Sequence, residues 1–113
     1  MERTKIEGTL PVAIHLVAEQ QPLKLKKVVM TQLSGIESVQ AQGELLVGQY
    51  ISIGELASMT RLVDAEGNEH KLPYDALGHS SRTNLDYLKD LRDQLDAKEQ
   101  AENSETESNW FEP

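Results

Sequence analysis

Apolar residues alternate with other residues near the start of the chain, and this alternation constrains the fold more than any other feature. The apolar positions of the alternation are Leu10, Val12, Ile14 and Leu16. A strand has a side-chain period of two, so these residues lie on one face of a half-buried strand over residues 9–18. Pro11 cannot donate to a ladder, which predicts that the strand lies at a sheet edge or pairs only beyond Pro11.

Two β-hairpins are predicted. Polar residues 19–22 form the turn to a second strand, in which Leu23 and Leu25, with Val29 as a further member, face away from Lys24 and Lys26. Residues 61–63 and 69–72 flank a second turn, where Gly67 can take the positive φ that a type I turn with a bulge requires. Pro73 ends this second hairpin because it lacks a donor.

Helix signals occupy the rest of the chain. Ser52 and Glu55 have the spacing of a capping box, with Ile51 and Leu56 as a hydrophobic staple, which predicts a helix over residues 53–60. For residues 31–50 the pattern leaves two possibilities, a short helix capped by Ser34 and Glu37 or irregular chain, because the Gly and Gln residues of this stretch dilute the pattern. Residues 74–77 are expected to form one helical turn closed by Gly78.

The strongest helix pattern begins near Leu85. Its apolar stripe consists of Leu85, Leu88, Leu91 and Leu95. These spacings of three and four residues place one face of the helix on the sheet. The fold class is therefore α+β: a small antiparallel sheet, built from two β-hairpins, packed against two to three helices. Residues 1–96 form the single domain, and the acidic residues 97–113 are expected to be a disordered tail.

Length and charge exclude several classes of protein. A chain of 113 residues supports one core. The net charge of −8 is concentrated in residues 85–113, which carry nine acids and three bases. Nucleic acid is an unexpected partner for such a chain. The sequence has no Cys, no apolar stretch long enough for a membrane span and no secretory signal pattern, which together fit the cytoplasm.

No catalytic or metal motif occurs in the sequence, so we expect no enzyme activity, no cofactor and no metal. His15, His70 and His79 are isolated from one another. The acids of residues 64–69 resemble a calcium loop only superficially, because Gly67 stands at the wrong loop position and the distal Glu is missing. A hairpin turn explains them better.

Two groups of residues are candidate partner-binding sites. Lys24, Lys26 and Lys27 form a basic cluster that could dock an acidic partner or the chain's own acidic tail; the alternative is a charged edge strand that resists aggregation. Trp110 and Phe111 are the only Trp and the only Phe of the chain. They could form a short recognition motif on a flexible tether, fold back onto the domain, or do neither.

The order of these elements resembles a known family. The strand Leu23-Lys24-Leu25-Lys26-Lys27 looks like the L-x-L-R-R strand of Mu-like phage tail assembly chaperones. Residues 53–75 and the helix that begins with Leu85-Asp86-Tyr87-Leu88 are similar to the middle and end of that family. The resemblance covers roughly residues 6–96.

The resemblance implies a non-enzymatic chaperone of the host cytoplasm. Such a protein binds the tape measure protein, helps to recruit tail tube subunits, and leaves before the virion is complete. Self-association into a homo-oligomer is left open. The alternative, from a different class, is a small acidic regulatory or inhibitory protein that occupies a basic site on its target.

Overall fold

A computed structural model of the chain describes the backbone of residues 3–18 and 20–111 and the side chains of residues 3–17 and 20–103. The elements, in chain order, are β1 (Lys5–Ala18), β2 (Gln21–Thr31), α1 (Gly35–Gly43), α2 (Ile51–Met59), β3 (Thr60–Val63), β4 (Glu69–Lys71), α3 (Tyr74–Gly78) and α4 (Arg82–Phe111). The strands form one antiparallel sheet of order β1-β2-β3-β4. The predicted α+β class and both predicted hairpins are confirmed.

All the described helices lie on one side of the sheet, and the core fills the space between. Helix α4 packs across β1 and β2, while α2 packs on α4 and β3. The leucine stripe of α4 is buried at Leu88, Leu91 and Leu95. The partners of this stripe include Leu10, Ile14, Met30, Leu56 and Leu62. The other side of the sheet, which we call the outer face, has no helix packed on it.

Strand β1 lies at the sheet edge, as Pro11 predicts, and it contains a bulge. Thr9 pairs with Lys27 and Ile14 with Leu25, so four residues of β1 lie opposite the single residue Lys26. Because the bulge adds an odd number of residues, three, the side chains of β2 change faces at the bulge. Leu25 faces the helices before the bulge, but Val28 and Met30 do so after it. Val29 therefore lies on the outer face, and the prediction that it shares a face with Leu25 is wrong.

Two side chains of α4 satisfy the backbone of the bulge. The buried Asn84 side chain accepts from Val12 N–H at 3.0 Å and donates to Val12 C=O at 2.9 Å. The Tyr87 hydroxyl accepts from Thr9 N–H at 2.9 Å. Gly8 makes this possible, because a Cβ there would overlap the Tyr87 hydroxyl. These hydrogen bonds replace the ladder that the bulge interrupts.

The helix boundaries differ from expectation at two places. Helix α2 begins at Ile51, and its N-cap Tyr50 makes no side-chain cap, so the predicted Ser52 capping box is wrong. Helix α4 does not end near Ala97 but continues to Phe111. Lys98 Nζ donates to Lys5 C=O at 2.6 Å, and Thr4 donates to Glu102 at 3.3 Å. The predicted disorder therefore does not describe residues 97–103.

The second hairpin has the predicted turn. Gly67 has a φ of 85°, and Asp64 Oδ1 accepts from the N–H groups of Glu66 and Asn68, each at 2.9 Å. His70 Nε2 lies 2.9 Å from Asp64 Oδ2. The His70 ring, with those two backbone N–H groups, lowers the pKa of the Asp64 carboxyl group. The hairpin turn that the sequence predicts thus accounts for the positions of Asp64 and Gly67.

Replacing Asn84 by Ala is expected to lower the free energy of unfolding by about 1–3 kcal/mol, because it removes both hydrogen bonds that the fully buried Asn84 side chain makes with the Val12 backbone. Urea denaturation followed by circular dichroism measures this change. Gln94→Ala, which also removes a side-chain amide but at an exposed position of the same helix, is the control. A loss no larger than that of the control would contradict the role assigned to Asn84.

Replacing Thr60 by Val is expected to stabilise the fold by about 1 kcal/mol. Thr60 is fully buried on the helix side of β3, and its hydroxyl has no hydrogen-bond partner within the described part of the chain. Val keeps the shape and removes the unsatisfied group. The same denaturation assay, with exposed Thr9→Val as the control, checks the sign.

Candidate partner-binding surface

Exposed apolar side chains concentrate in one part of the chain. Six of the eight exposed large hydrophobic residues identified among the described side chains fall within residues 36–51. They are Ile36, Val39, Leu46, Val47, Tyr50 and Ile51, with exposures from 55% to 106%. We call these six side chains the apolar surface. They belong to α1, to the connection that follows it, and to the first residue of α2.

Helix α1 forms because its first turn is capped. Ser34 Oγ accepts from Glu37 N–H at 3.2 Å, and the Glu37 carboxylate accepts from Ser34 N–H at 2.9 Å. This is the capping box that residues 34–37 suggested, so residues 35–43 are helical rather than irregular. Arg3 adds an ion pair to Glu37 at 2.7 Å. The start of α1 is thereby tied to the chain segment that leads into β1.

The capping interactions also act on the acidity of Glu37. The Ser34 N–H, and after it the Arg3 guanidinium, hold the pKa of the Glu37 carboxyl group below its ordinary value of 4.5. A lowered pKa means that the folded state favours the ionised form. The stabilisation is therefore present at neutral pH and is lost as the pH falls through the lowered pKa.

Helix α1 is attached to the domain by polar contacts. None of the residues of α1 is buried. Ser38 Oγ donates to Glu55 of α2 at 3.3 Å, and Arg92 of α4 donates to the other carboxylate oxygen at 3.0 Å. Glu55 therefore connects three helices, which is a different role from the capping role that its sequence position suggested.

The connection between α1 and α2 is held in place at several points. Leu45 packs over Gly54, where a Cβ would lie only 2.6 Å from Leu45 Cδ2. Tyr50 N–H donates to the Tyr74 hydroxyl at 2.7 Å. Gly48 adopts a φ of 89°, a conformation that favours glycine. These contacts fix the backbone while the side chains of Leu46 and Val47 remain exposed.

A groove adjoins this connection. It has a volume of about 440 Å³, and Leu45, Ala57 and Leu72 are among the apolar residues that line it. The residues Arg61 and Lys71 add positive charge to the lining. The apolar surface and the groove together offer a partner exposed hydrocarbon beside a partly basic cleft.

Within the part of the chain that the structure describes, no group of three or more His, Asp or Glu side chains could hold a metal ion. His70 takes part in the Asp64 turn, and His15 and His79 are exposed. Among the described helices, none combines the length and the apolar character needed to cross a membrane.

The predicted site residues occupy other places than the apolar surface. Lys24, Lys26 and Lys27 are exposed on β2, and none of them lines the groove. Lys27 pairs across the sheet with Val63, while Lys24 and Lys26 lie beyond the residues that pair with β3. The side chains of Trp110 and Phe111 lie outside the described residues.

The sequence-based prediction missed the apolar surface. The available signal was the density of large apolar residues in a region whose helix pattern was weak. Val39 follows Ile36 by three positions, as on one face of a helix, and Leu46 and Val47 are adjacent in a Gly-containing stretch. Apolar residues are ordinarily assigned to the core, so the pattern did not reveal that these would be exposed.

Replacing Glu37 by Gln is expected to loosen α1 at neutral pH, because the amide lacks the charge that Arg3 and the Ser34 N–H stabilise. NMR hydrogen exchange of the α1 amides would measure the loss of protection. In the wild-type chain, the Ser34 amide resonance should shift as the pH falls below 4.5. Glu44→Gln, at the other end of α1, is the control, and equal effects of the two substitutions would contradict this assignment.

Comparison with known proteins finds no match for this chain. No protein-family model matches the chain, and neither a curated protein nor a solved structure matches it. The resemblance to phage tail assembly chaperones therefore rests on the features of the sequence itself.

Proposed function

We propose that the chain is a phage tail assembly chaperone that binds the tape measure protein and tail tube subunits in the host cytoplasm, without catalysis. The observation that carries the proposal is the apolar surface, which leaves six large side chains exposed within residues 36–51. The order of elements supports the same proposal through the resemblance of the sequence to that family. The apolar surface extends the expected binding residues beyond Lys24, Lys26, Lys27, Trp110 and Phe111.

Exposed apolar side chains on a small acidic protein favour a binding role. Single exposed hydrophobic residues are ordinary, but a concentration of them marks an interaction site. Burying one Val or Ile side chain contributes about 1.5–3 kcal/mol, so several together can hold a partner. The chain as a whole carries a net charge of −8, which keeps the unbound protein from associating nonspecifically.

The partner expected for this surface is a helix with an apolar stripe. Ile36 and Val39 project from α1 with helical spacing, and the groove beside Leu45 can accept side chains from a neighbouring helix. A tape measure protein is a long and largely helical chain that exposes such stripes before assembly. Shielding them reversibly is the work of an assembly chaperone.

Release of the partner is compatible with the way α1 is attached. No α1 residue is buried, and its ties to the domain include Ser38–Glu55 and Arg3–Glu37. Polar contacts of this kind rearrange at small cost, since exposed ion pairs are worth about 0–1 kcal/mol. The α1 part of the surface can therefore adapt to a partner and separate from it without disturbing the core.

The acidic regulator remains the second candidate, and one observation favours it. Asp86, Asp90 and Asp93 of α4 are exposed in a row along the helix and could mimic an acidic ligand. Salt separates the two functions. An acidic mimic should lose most of its affinity at about 0.5 M salt, whereas an apolar contact persists.

The test is co-expression of the chain with the tape measure protein and the tail tube protein encoded beside it. Wild-type chain should keep the tape measure protein soluble and co-purify with it. Val39→Ser combined with Val47→Ser should weaken binding by about tenfold or more, because two apolar contacts are lost. Isothermal calorimetry on the purified complex would measure the change.

Val17→Ser is the matched control for that experiment. Val17 is also exposed, at 78%, but it lies in the β1–β2 hairpin, away from residues 36–51 in the chain. It should leave binding unchanged. Absence of any association with either tail protein would refute the chaperone proposal. Binding that disappears at about 0.5 M salt and ignores the double substitution would favour the regulator.

A further inference from the structure

The outer face of the sheet is basic, although the protein is acidic. The four strands contain six bases and two acids. The bases are Lys5, Lys24, Lys26, Lys27, Arg61 and Lys71, and the acids are Glu7 and Glu69. None of these six bases forms an ion pair with another described residue. Their charges are thus free to meet an anionic partner.

The outer face also has an apolar floor. The sheet register places Val29 beside Arg61 and Val63 beside Lys27. A shallow cavity of about 360 Å³ is lined by Val29, Val63, Lys27 and the acid Glu7, among others. The bulge in β1 creates this floor, because it turns Val29 away from the helices. A ligand suited to it combines negative charge with an apolar ring.

The C-terminal segment of the same sequence, residues 104–113, has this composition. It contains Glu105, Glu107 and Glu112 and no base. It also contains Trp110 and Phe111, the only Trp and the only Phe of the chain. The aromatic rings match the Val29 and Val63 floor, and the carboxylates match the unpaired bases around it.

The topology separates this segment from the outer face of its own copy. Helix α4 packs on the opposite side of the sheet, where Leu91 lies against Gly8 of β1. It continues as one helix to Phe111. A helix of that length cannot turn around the sheet edge without breaking. The segment can meet an outer face only on another molecule.

We propose that the outer face of the sheet binds the acidic, aromatic segment of residues 104–113 from a second copy of this chain. The Trp110 ring packs on Val29 and Val63, and the Arg61 and Lys27 side chains at its edge add cation–π attraction. Glu105 and Glu107 pair with bases of the same face. The contact does not use the six side chains of the apolar surface, but it occupies Lys27 and Trp110, which the proposed function also counts among the expected binding residues.

Because Trp110 is the only Trp, its fluorescence reports this contact directly in the full-length protein. We expect the emission to shift to shorter wavelength, and its anisotropy to rise, as the protein is concentrated. Both changes should reverse on dilution and at about 0.5 M salt, where charge pairs are screened. Sedimentation velocity on the same samples should show association over the same concentration range.

Charge reversal on the face gives the decisive comparison. Lys27→Glu with Arg61→Glu should raise the dissociation constant at least about tenfold, because like charges then face each other. Adding Glu105→Lys with Glu107→Lys to that variant should restore association. Arg82→Glu with Lys89→Glu, which changes the same charge at exposed positions of α4, is the control and should behave much as the wild type does.

Three results would overturn the proposal. If the Trp110 emission does not change with protein concentration, a second copy is excluded as the occupant. This holds whether the emission wavelength is that of an exposed or of a shielded ring. Association that persists unchanged in the Lys27→Glu, Arg61→Glu variant would place the contact elsewhere. Failure of the combined reversal to restore association, in a variant whose circular dichroism shows an intact fold, would remove the assigned charge pairing.

Discussion

The pairing of Asn84 with the bulge in β1 determines how the sheet and the helices fit together. The bulge interrupts the β1–β2 ladder around Val12, so the Val12 N–H and C=O groups have no partner in β2. The Asn84 side chain supplies both a donor and an acceptor to Val12, as a neighbouring strand would. Tyr87, one turn further along α4, satisfies Thr9. The start of α4 is therefore fixed over the bulge, and the leucines that follow have to pack on the same side of the sheet.

Local patterns predicted the parts of the fold that depend on neighbouring residues. The strands and the leucine stripe follow from periodicity, and the β3–β4 turn follows from Gly67. The predictions were wrong where contacts between residues that are distant in the sequence determine the structure. Glu55 has the spacing of a cap, but Arg92 and Ser38 bind it instead. Helix α4 passes the expected end because Lys98 and Glu102 contact the start of β1. Val29 changed face because the size of the bulge depends on the pairing of two strands, which no single stretch of sequence encodes.

The candidate site was predictable only where charge defines it. A cluster of lysines is exposed in almost any fold, so Lys24, Lys26 and Lys27 could be identified from the sequence. The apolar surface could not be identified from the sequence, because Ile36 or Val47 could equally be core residues. What exposes them is the short length of α1 and its position at the margin of the helix layer. Helix α1 packs on α2, which already covers the core with Leu56, Ala57 and Met59.

The two surfaces differ in what they require of a partner. Part of the apolar surface lies on α1, whose polar attachments let it adjust, so the surface suits partners that vary in sequence but share apolar stripes. The outer face lies on paired strands, where each side chain is held in register with its neighbours. A rigid arrangement of bases around Val29 and Val63 favours one defined ligand over many. The proposed contact at the outer face is therefore the more selective of the two, and the proposed contact at the apolar surface is the more general. Since the core lies between the helices and the sheet, a partner on either surface leaves the packing that supports the other unchanged.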